Sequence, residues 1–136
     1  MDAIINQYYT KAGQNNIKMD VKGRFPVDCS IDAFDLCTIF SNILSNAFEA
    51  ALTTEEKYVS LDCRYNDKNI IIVVKNSFHN DMQSQNTQWK TRKKDTDYHG
   101  YGLENIKDSV KKYNGMFDIE IKEEMFILTI LFNNTL

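Results

Sequence analysis

The stretch NILSNAFEAAL, from Asn42 to Leu52, carries polar side chains in a regular stripe along an otherwise apolar segment. Asn42, Asn46 and Glu49 recur at i, i+4 and i+7, which is the spacing of one face of an α-helix. Apolar residues occupy the opposite face, and we expect them to pack into the core: Leu36, Ile39, Phe40, Ile43, Leu44, Ala47, Ala50 and Ala51. The segment therefore predicts a core helix with a polar stripe beside its buried face.

The two asparagines allow two interpretations. An unsatisfied buried amide costs roughly 1 to 3 kcal/mol, so a single Asn in this position ordinarily caps a neighbouring loop. Asn42 and Asn46 are in register, however, and a glycine-rich segment follows far downstream, which favours a ligand site. Asn is a neutral oxygen donor suited to Mg²⁺, a cation that usually keeps several waters and takes other ligands from substrate phosphates.

Composition limits the classes of function. The chain has 136 residues, of which 43% are hydrophobic, and this is enough for one domain with a core of its own. The formal net charge of -3 gives no overall basic field, so we expect no nucleic-acid partner. Any bound phosphate must be held by local groups.

Cysteine usage and hydropathy indicate a soluble chain in a reducing compartment. Cys29, Cys37 and Cys63 are odd in number and lack metal-ligand spacing, so we expect small buried side chains rather than disulfides or a zinc site. The longest apolar stretches, residues 70–74 and 125–132, are far shorter than a membrane span. We expect no membrane contact by this chain itself.

Along the chain, the spacing of apolar residues alternates between the 3.6-residue period of helices and the two-residue period of strands. Strands grouped around single helices predict an α+β fold, a two-layer α/β sandwich with one mixed sheet and helices on one face. The first predicted elements are a short helix ending near Asn15 and Asn16 and a strand over 17–21. A long helix follows over roughly 32–52, capped by Ser30 or Asp32, and then a hairpin of strands 59–65 and 70–74. The last elements are a helix over 103–113 closed by Asn114 and Gly115, and a hairpin of strands 117–121 and 125–132.

A polar segment of 22 residues, 77–98, interrupts this order and follows neither period. A loop of that length inside a compact domain is usually functional or disordered, and we interpret it as a flexible lid. Its basic cluster, which includes Lys93 and Lys94, is either a solvated charge run or a phosphate contact.

The lid leads into the sequence HGYGL, from His99 to Leu103. We expect a glycine-rich turn in which Gly100 and Gly102 free backbone N–H groups, followed by a helix start with its positive partial charge. This is a candidate phosphate cradle, and an ordinary glycine-rich loop exit is the alternative. The segment has neither the Walker sequence nor the third glycine of a Rossmann fingerprint.

Three segments together resemble the GHKL (Bergerat) ATPases: NILSNAFEAAL, VVKNSF (residues 73–78) and TRKKDTDYHGYGLENI (residues 91–106). Within that superfamily the chain is most similar to the ATP-binding catalytic domain of sensor histidine kinases of the accessory-gene-regulator peptide-pheromone receptor type. The resemblance extends over almost the whole chain and implies a Bergerat fold with ATP and Mg²⁺ as cofactors. It implies that Asn46 is the Mg²⁺ ligand, and that His99, Gly100, Gly102, Leu103, Lys93 and Lys94 contact nucleotide.

Asn42 occupies the position at which hydrolytic members of the superfamily carry a glutamate that activates water. A carboxamide cannot act as that base, which suits a kinase that protects ATP until a histidine arrives. At the adenine position the family carries DxGxG, whereas this chain has Asn76, Ser77 and Phe78. The resemblance implies that Asn76 reads the base, and its amide could rotate to offer either an acceptor or a donor.

The resemblance also implies partners. The only histidines, His79 and His99, flank or lie inside the predicted lid, so the acceptor histidine is expected upstream. We expect this chain to be the cytosolic C-terminal part of a membrane-bound receptor, with that receptor's histidine-bearing dimerisation domain and a response regulator as partners. The alternatives are a serine kinase of the anti-sigma-factor type and a degenerate nucleotide-binding or docking module.

Overall fold

Three helices and five strands make up the part of the chain that the structure describes. This computed structural model describes residues 2–26, 31–79 and 97–133, with backbone alone at Asp2 and residues 97–102. In chain order the elements are α1 (Asp2–Gln14), β1 (Lys18–Gly23), α2 (Ala33–Ala51), β2 (Tyr58–Tyr65), β3 (Asn69–Ser77), α3 (Asp97–Lys112), β4 (Met116–Lys122) and β5 (Met125–Asn133).

The five strands form one sheet in the order β1-β2-β3-β5-β4. β1 runs parallel to β2 and the other three pairs are antiparallel, so the sheet is mixed. Both predicted hairpins are confirmed, and the second turns at Glu123 and Glu124, whose φ angles are 51° and 65°. Helices cover one face of the sheet, which confirms the predicted two-layer α+β architecture.

Helix α2 forms where its apolar period predicts it. Asp32 is the N-cap, and its carboxylate accepts a hydrogen bond from the Phe34 N–H at 2.8 Å. The buried face contains the expected residues except that Ala50 is half-buried and Phe48 is buried in addition. The long helix is therefore fixed by a local cap at its start and by burial of one face against the sheet and α3.

Strand β3 is buried on one side only. Ile70, Ile72 and Val74 face the helices and are at most 1% exposed, whereas Ile71 is 41% exposed on the opposite side. A continuous apolar run therefore lies here in a strand with one buried face, because all the described helices lie on the same face of the sheet.

Two helices end in the same local motif. Asn16 and Asn114 adopt left-handed φ angles of 58° and 57°, and the next residue donates back to a carbonyl five positions earlier. After α3 this donor is Gly115, whose N–H bonds the Val110 carbonyl at 2.9 Å. A Cβ on Gly115 would stand 2.8 Å from the Leu131 carbonyl oxygen, so the chain needs glycine where α3 meets β5.

The predicted lid boundaries need correction. Ser77 belongs to β3, and the residues from Asp97 onward are helical, while residues 80–96 lie outside the described part of the chain. HGYGL, predicted as a turn before the helix, lies inside the first two turns of α3. Glycine accepts helical dihedral angles at a cost of about 1 kcal/mol relative to alanine, so its presence did not force a turn.

Of the two cysteines that the structure describes, one is buried as predicted and the other is only half-buried. Cys63 is buried and burial raises the pKa of its thiol to about 12, whereas Cys37 is half-buried; both are free thiols. Cys29 lies outside the described residues. None of the described helices is long and apolar enough to cross a membrane.

Candidate functional site

The candidate site is built on α2 and the end of β3, two elements that pack directly against each other. Asn42 and Asn46 belong to the polar stripe of α2, and Asn76 follows the buried residues of β3 on the sheet face that α2 covers. Alternation along β3 explains this placement, because Val74 and Asn76 point to the same side. Two of the three predicted site elements are thus adjacent.

Asn42 and Asn46 are half-buried, and Glu49 is exposed. Neither Asn side chain makes a hydrogen bond to any residue that the structure describes. No described residue therefore supports the interpretation that these asparagines cap a loop. Two amides partly removed from water and lacking a described partner can offer oxygen to a ligand.

Asn76 is 3% exposed, and its orientation is fixed by a hydrogen bond. Its Nδ2 donates to the Ser77 carbonyl oxygen at 2.9 Å. The Oδ1 atom has no partner among the described residues, and it is the atom left to meet a ligand. Sequence reasoning allowed the amide to present either group, whereas the structure makes Asn76 an acceptor, as the family's Asp would be.

A hydroxyl network behind Asn76 was missed by the sequence analysis. Thr54 Oγ1 donates to the Ala51 carbonyl at 2.7 Å and lies 2.9 Å from Ser77 Oγ. Ser77 Oγ also accepts the Tyr58 N–H at 3.0 Å. Since Thr54 and Ser77 are both at least nine-tenths buried, the network ties the end of α2 to the end of β3 beside Asn76. The polar pair at the end of an apolar strand was the available signal.

Phe78 continues this fixed segment. Its N–H donates to the Glu124 carbonyl at 3.1 Å, and its ring meets Phe126 edge to face at 5.9 Å. The Asn-Ser-Phe segment therefore has a defined conformation at the position where the resemblance to GHKL ATPases implies the DxGxG motif.

Only part of the segment predicted as a phosphate cradle lies in the first turn of α3. Unpaired N–H groups belong to the first turn of a helix, which here begins at Asp97 and includes His99. Gly102 and Leu103 lie in the second turn, where N–H groups bond carbonyls one turn earlier. Lys93 and Lys94 lie outside the described residues.

The described residues contain no group of three or more His, Cys, Asp or Glu that could hold a metal ion. The candidate neutral oxygen donors on α2 are the amides of Asn42 and Asn46. Such a donor set suits Mg²⁺ that arrives with substrate phosphates, because that ion retains waters and needs few protein ligands.

Comparison with known families gave a match to the GHKL domain over residues 31–133. The chain belongs to the GHKL domain family. The match includes α2, the end of β3 and α3, which are the three elements of the candidate site. A search of curated proteins gave no match.

The GHKL fold is also that of solved histidine kinase domains. The nucleotide-free catalytic domain of the histidine kinase ThkA is similar with a TM-score of 0.73 at 15% identity, covering 98% of this chain and 90% of that one. The Acinetobacter baumannii histidine kinase AdeS gives 0.68 at 12% identity, with 98% and 62% covered. The cytoplasmic segment of the histidine kinase QseC gives 0.62 at 14% identity, with 98% and 72% covered. At these identities the likeness shows the fold.

Proposed function

We propose that this chain is the ATP-binding catalytic domain of a two-component sensor histidine kinase, of the accessory-gene-regulator peptide-pheromone receptor type. It binds ATP with Mg²⁺ and donates the γ-phosphate to a histidine on the dimerisation domain of the same receptor, upstream of this chain. A response regulator then receives the phosphoryl group. Membership of the GHKL family and the likeness to histidine kinase folds support the proposal.

The pair of half-buried amides on α2 carries this proposal. Asn46 supplies a neutral oxygen for the cation that accompanies the phosphates, and Asn42 supplies an amide where water activation would need a carboxylate. Because an amide does not accept a proton from water at neutral pH, the chain alone holds ATP without hydrolysing it. This combination suits transfer to a separate acceptor.

Each remaining site group has a role in binding. Asn76 Oδ1 accepts a hydrogen bond from the adenine amino group, while Ser77 holds the amide in that orientation. The first turn of α3 directs N–H groups toward the phosphates. Mg²⁺, when bound, offsets the negative charge of the phosphates.

Calorimetry of the purified chain with ATP, with and without Mg²⁺, tests the proposal together with a phosphate-release assay. We expect binding that Mg²⁺ strengthens and negligible release of phosphate by the chain alone. Steady hydrolysis by the isolated chain would contradict the role given to Asn42.

A nucleotide-independent docking module is the second candidate. The fixed Asn76-Ser77-Phe78 segment favours it, because a side-chain network and a ring contact take the place of glycines that would leave room for a ligand. Absence of any heat with ATP, in both titrations, would favour docking over catalysis. The anti-sigma-factor type of serine kinase shares the fold, and no described residue favours it.

A further inference from the structure

Side chains tie the first turn of α2 to the last turn of α3. The Tyr113 hydroxyl donates to Asp35 Oδ2, and Lys112 Nζ reaches the same oxygen at 3.0 Å. The Tyr113 oxygen also accepts the Asp32 N–H at 3.1 Å. We call Asp35, Lys112 and Tyr113 the α2–α3 clamp.

The clamp is supported from both sides. The Tyr113 ring is half-buried and meets Phe132 edge to face at 6.3 Å, while the Lys112 ammonium lies 5.7 Å from the ring centre. The Tyr113 hydrogen bond, and then Lys112, hold the pKa of the Asp35 carboxyl below its usual value. Asp35 is therefore ionised throughout the neutral range, and the clamp is formed there.

The clamp fixes the position of each helix along the axis of the other. It joins the N-terminal end of α2 to the C-terminal end of α3, and the helices contact each other, so they run antiparallel. Asn46 follows Asp35 by eleven positions, and Tyr113 follows Gly102 by eleven. At 1.5 Å per residue both distances are about 16 Å, which places Gly102 level with Asn46 along the helix pair and the start of α3, at Asp97, about 8 Å beyond that level.

We infer that the α2–α3 clamp positions the phosphate end of the nucleotide site. It does so by fixing where the start of α3 lies, along the helix axis, relative to Asn46. The inference rests on the proposed function. A shift of α3 along α2 would separate the helix start from the amide that serves the metal, while Asn76, on β3, would keep its place. Loss of the clamp must therefore weaken contacts to phosphate more than contacts to base.

The test measures the affinities of adenosine and of Mg-ATP for the whole chain and for Tyr113→Phe and Asp35→Asn. Tyr113→Phe removes one oxygen and retains the ring against Phe132, so the fold should persist. We expect a loss of about fivefold or more in Mg-ATP affinity, the usual size of a coupling between separated sites. Adenosine affinity should remain within about twofold of the original, since no phosphate contact is involved.

Matched variants separate positioning from general destabilisation. Arg64→Met breaks the Asp62–Arg64 ion pair of 3.1 Å on β2, which is comparable to the Lys112–Asp35 pair but distant from the clamp, and should leave both affinities unchanged. The double variant of Asp35 and Tyr113 should lose less Mg-ATP affinity than the sum of the two single variants, because both substitutions break the shared Tyr113–Asp35 contact.

The outcomes distinguish the two proposals. Equal losses for adenosine and Mg-ATP would show a structural role and overturn the clamp inference, as would unchanged Mg-ATP binding in both single variants. Either result leaves the proposed function standing if the original chain binds Mg-ATP. Failure of the original chain to bind Mg-ATP would overturn both.

Discussion

The amide of Asn46 is half-buried on α2, and no described residue satisfies it. If its oxygen serves Mg²⁺, Asn46→Ala should weaken Mg-ATP binding by roughly tenfold or more, as loss of metal-supporting side chains does. Binding of metal-free ATP should change much less. Isothermal titration with and without Mg²⁺ gives both values.

Ser45→Ala is the matched control, because Ser45 is an exposed neighbour on the same helix. It should leave both titrations unchanged. Equal losses for Asn46→Ala in the two titrations would remove the metal assignment, and a lower melting temperature with unchanged nucleotide binding would show that Asn46 serves stability alone.

Asn76 is neutral, whereas the resemblance to GHKL ATPases implies an aspartate at this position, yet its geometry makes it an acceptor. Because Nδ2 is engaged by the Ser77 carbonyl, we expect the original chain to prefer ATP over GTP. Asn76→Asp replaces the Nδ2 donor with a carboxylate oxygen that faces the Ser77 carbonyl oxygen. The side chain of residue 76 is only 3% exposed, so water cannot easily satisfy that oxygen. The free energy of unfolding should fall by about 1 to 3 kcal/mol, the cost of an unsatisfied buried polar group.

Chemical denaturation of the two proteins and competition between ATP and GTP measure these effects. The ATP preference should change little in Asn76→Asp, since the base meets an acceptor in both proteins. A large gain in preference without loss of stability would mean that the amide turns freely in solution.

At the scale of elements, we expect substitution by alanine to have opposite effects on stability at two glycines. Gly23, at the end of β1, has a φ of 81°, and a Cβ there would lie 1.8 Å from the Cys63 carbonyl oxygen. Gly13, in α1, has no atom within 4 Å of the position of a Cβ. Gly23→Ala should destabilise the protein by roughly 2 kcal/mol or more, and Gly13→Ala should stabilise it by about 0.5 kcal/mol.

Thermal melts of both variants beside the original chain test the pair. Similar midpoints for Gly23→Ala and the original would mean that β1 is not held against β2 as described. A lower midpoint for Gly13→Ala would mean that the last turns of α1 are not helical.

Elements were predictable wherever their cause is local. The period and the Asp32 cap specify α2, and Asn114 with Gly115 specifies the end of α3, because each acts within one or two turns. The start of α3 was not predictable, since Gly100 and Gly102 are compatible with a turn and with a helix. Tertiary contacts decide such cases, and sequence periodicity does not contain them.

The candidate site was partly predictable for the same reason. Asn42 and Asn46 follow from helical spacing, whereas the Thr54–Ser77 contact joins residues 23 positions apart and depends on how α2 meets β3. The orientation of Asn76 also depends on its neighbour's carbonyl, which no residue pattern encodes. The roles of Lys93 and Lys94 stay predictions.

At the scale of the whole molecule, the sheet ends in two charged edges. On the exposed face β1 presents Lys18, Asp20 and Lys22, and β4 presents Asp118, Glu120 and Lys122. Charges on edge strands oppose pairing with another chain. Replacing both Glu120 and Lys122 by Thr should therefore promote concentration-dependent association, although the net charge is unchanged.

Sedimentation velocity over a range of concentrations measures that association. The control replaces Asp62 and Arg64 by Thr, which removes an equivalent pair of opposite charges from β2, an interior strand. It should remain as monodisperse as the original. Association of both variants would indicate that general loss of surface charge, rather than an unprotected edge, is responsible.

The sheet order also governs how the chain folds in time. Its central neighbours β3 and β5 are 48 to 64 residues apart in sequence, whereas the strands of each hairpin are nearly contiguous. The hairpins can form on local contacts, but the sheet gains its shared core only when they meet, so we expect the pairing of β3 with β5 to be the slow step of folding. Since closure entropy grows as the logarithm of length, doubling the intervening segment would cost only about 0.6 kcal/mol. We therefore expect a change in the number of residues between β3 and α3 to have little effect on the folding rate.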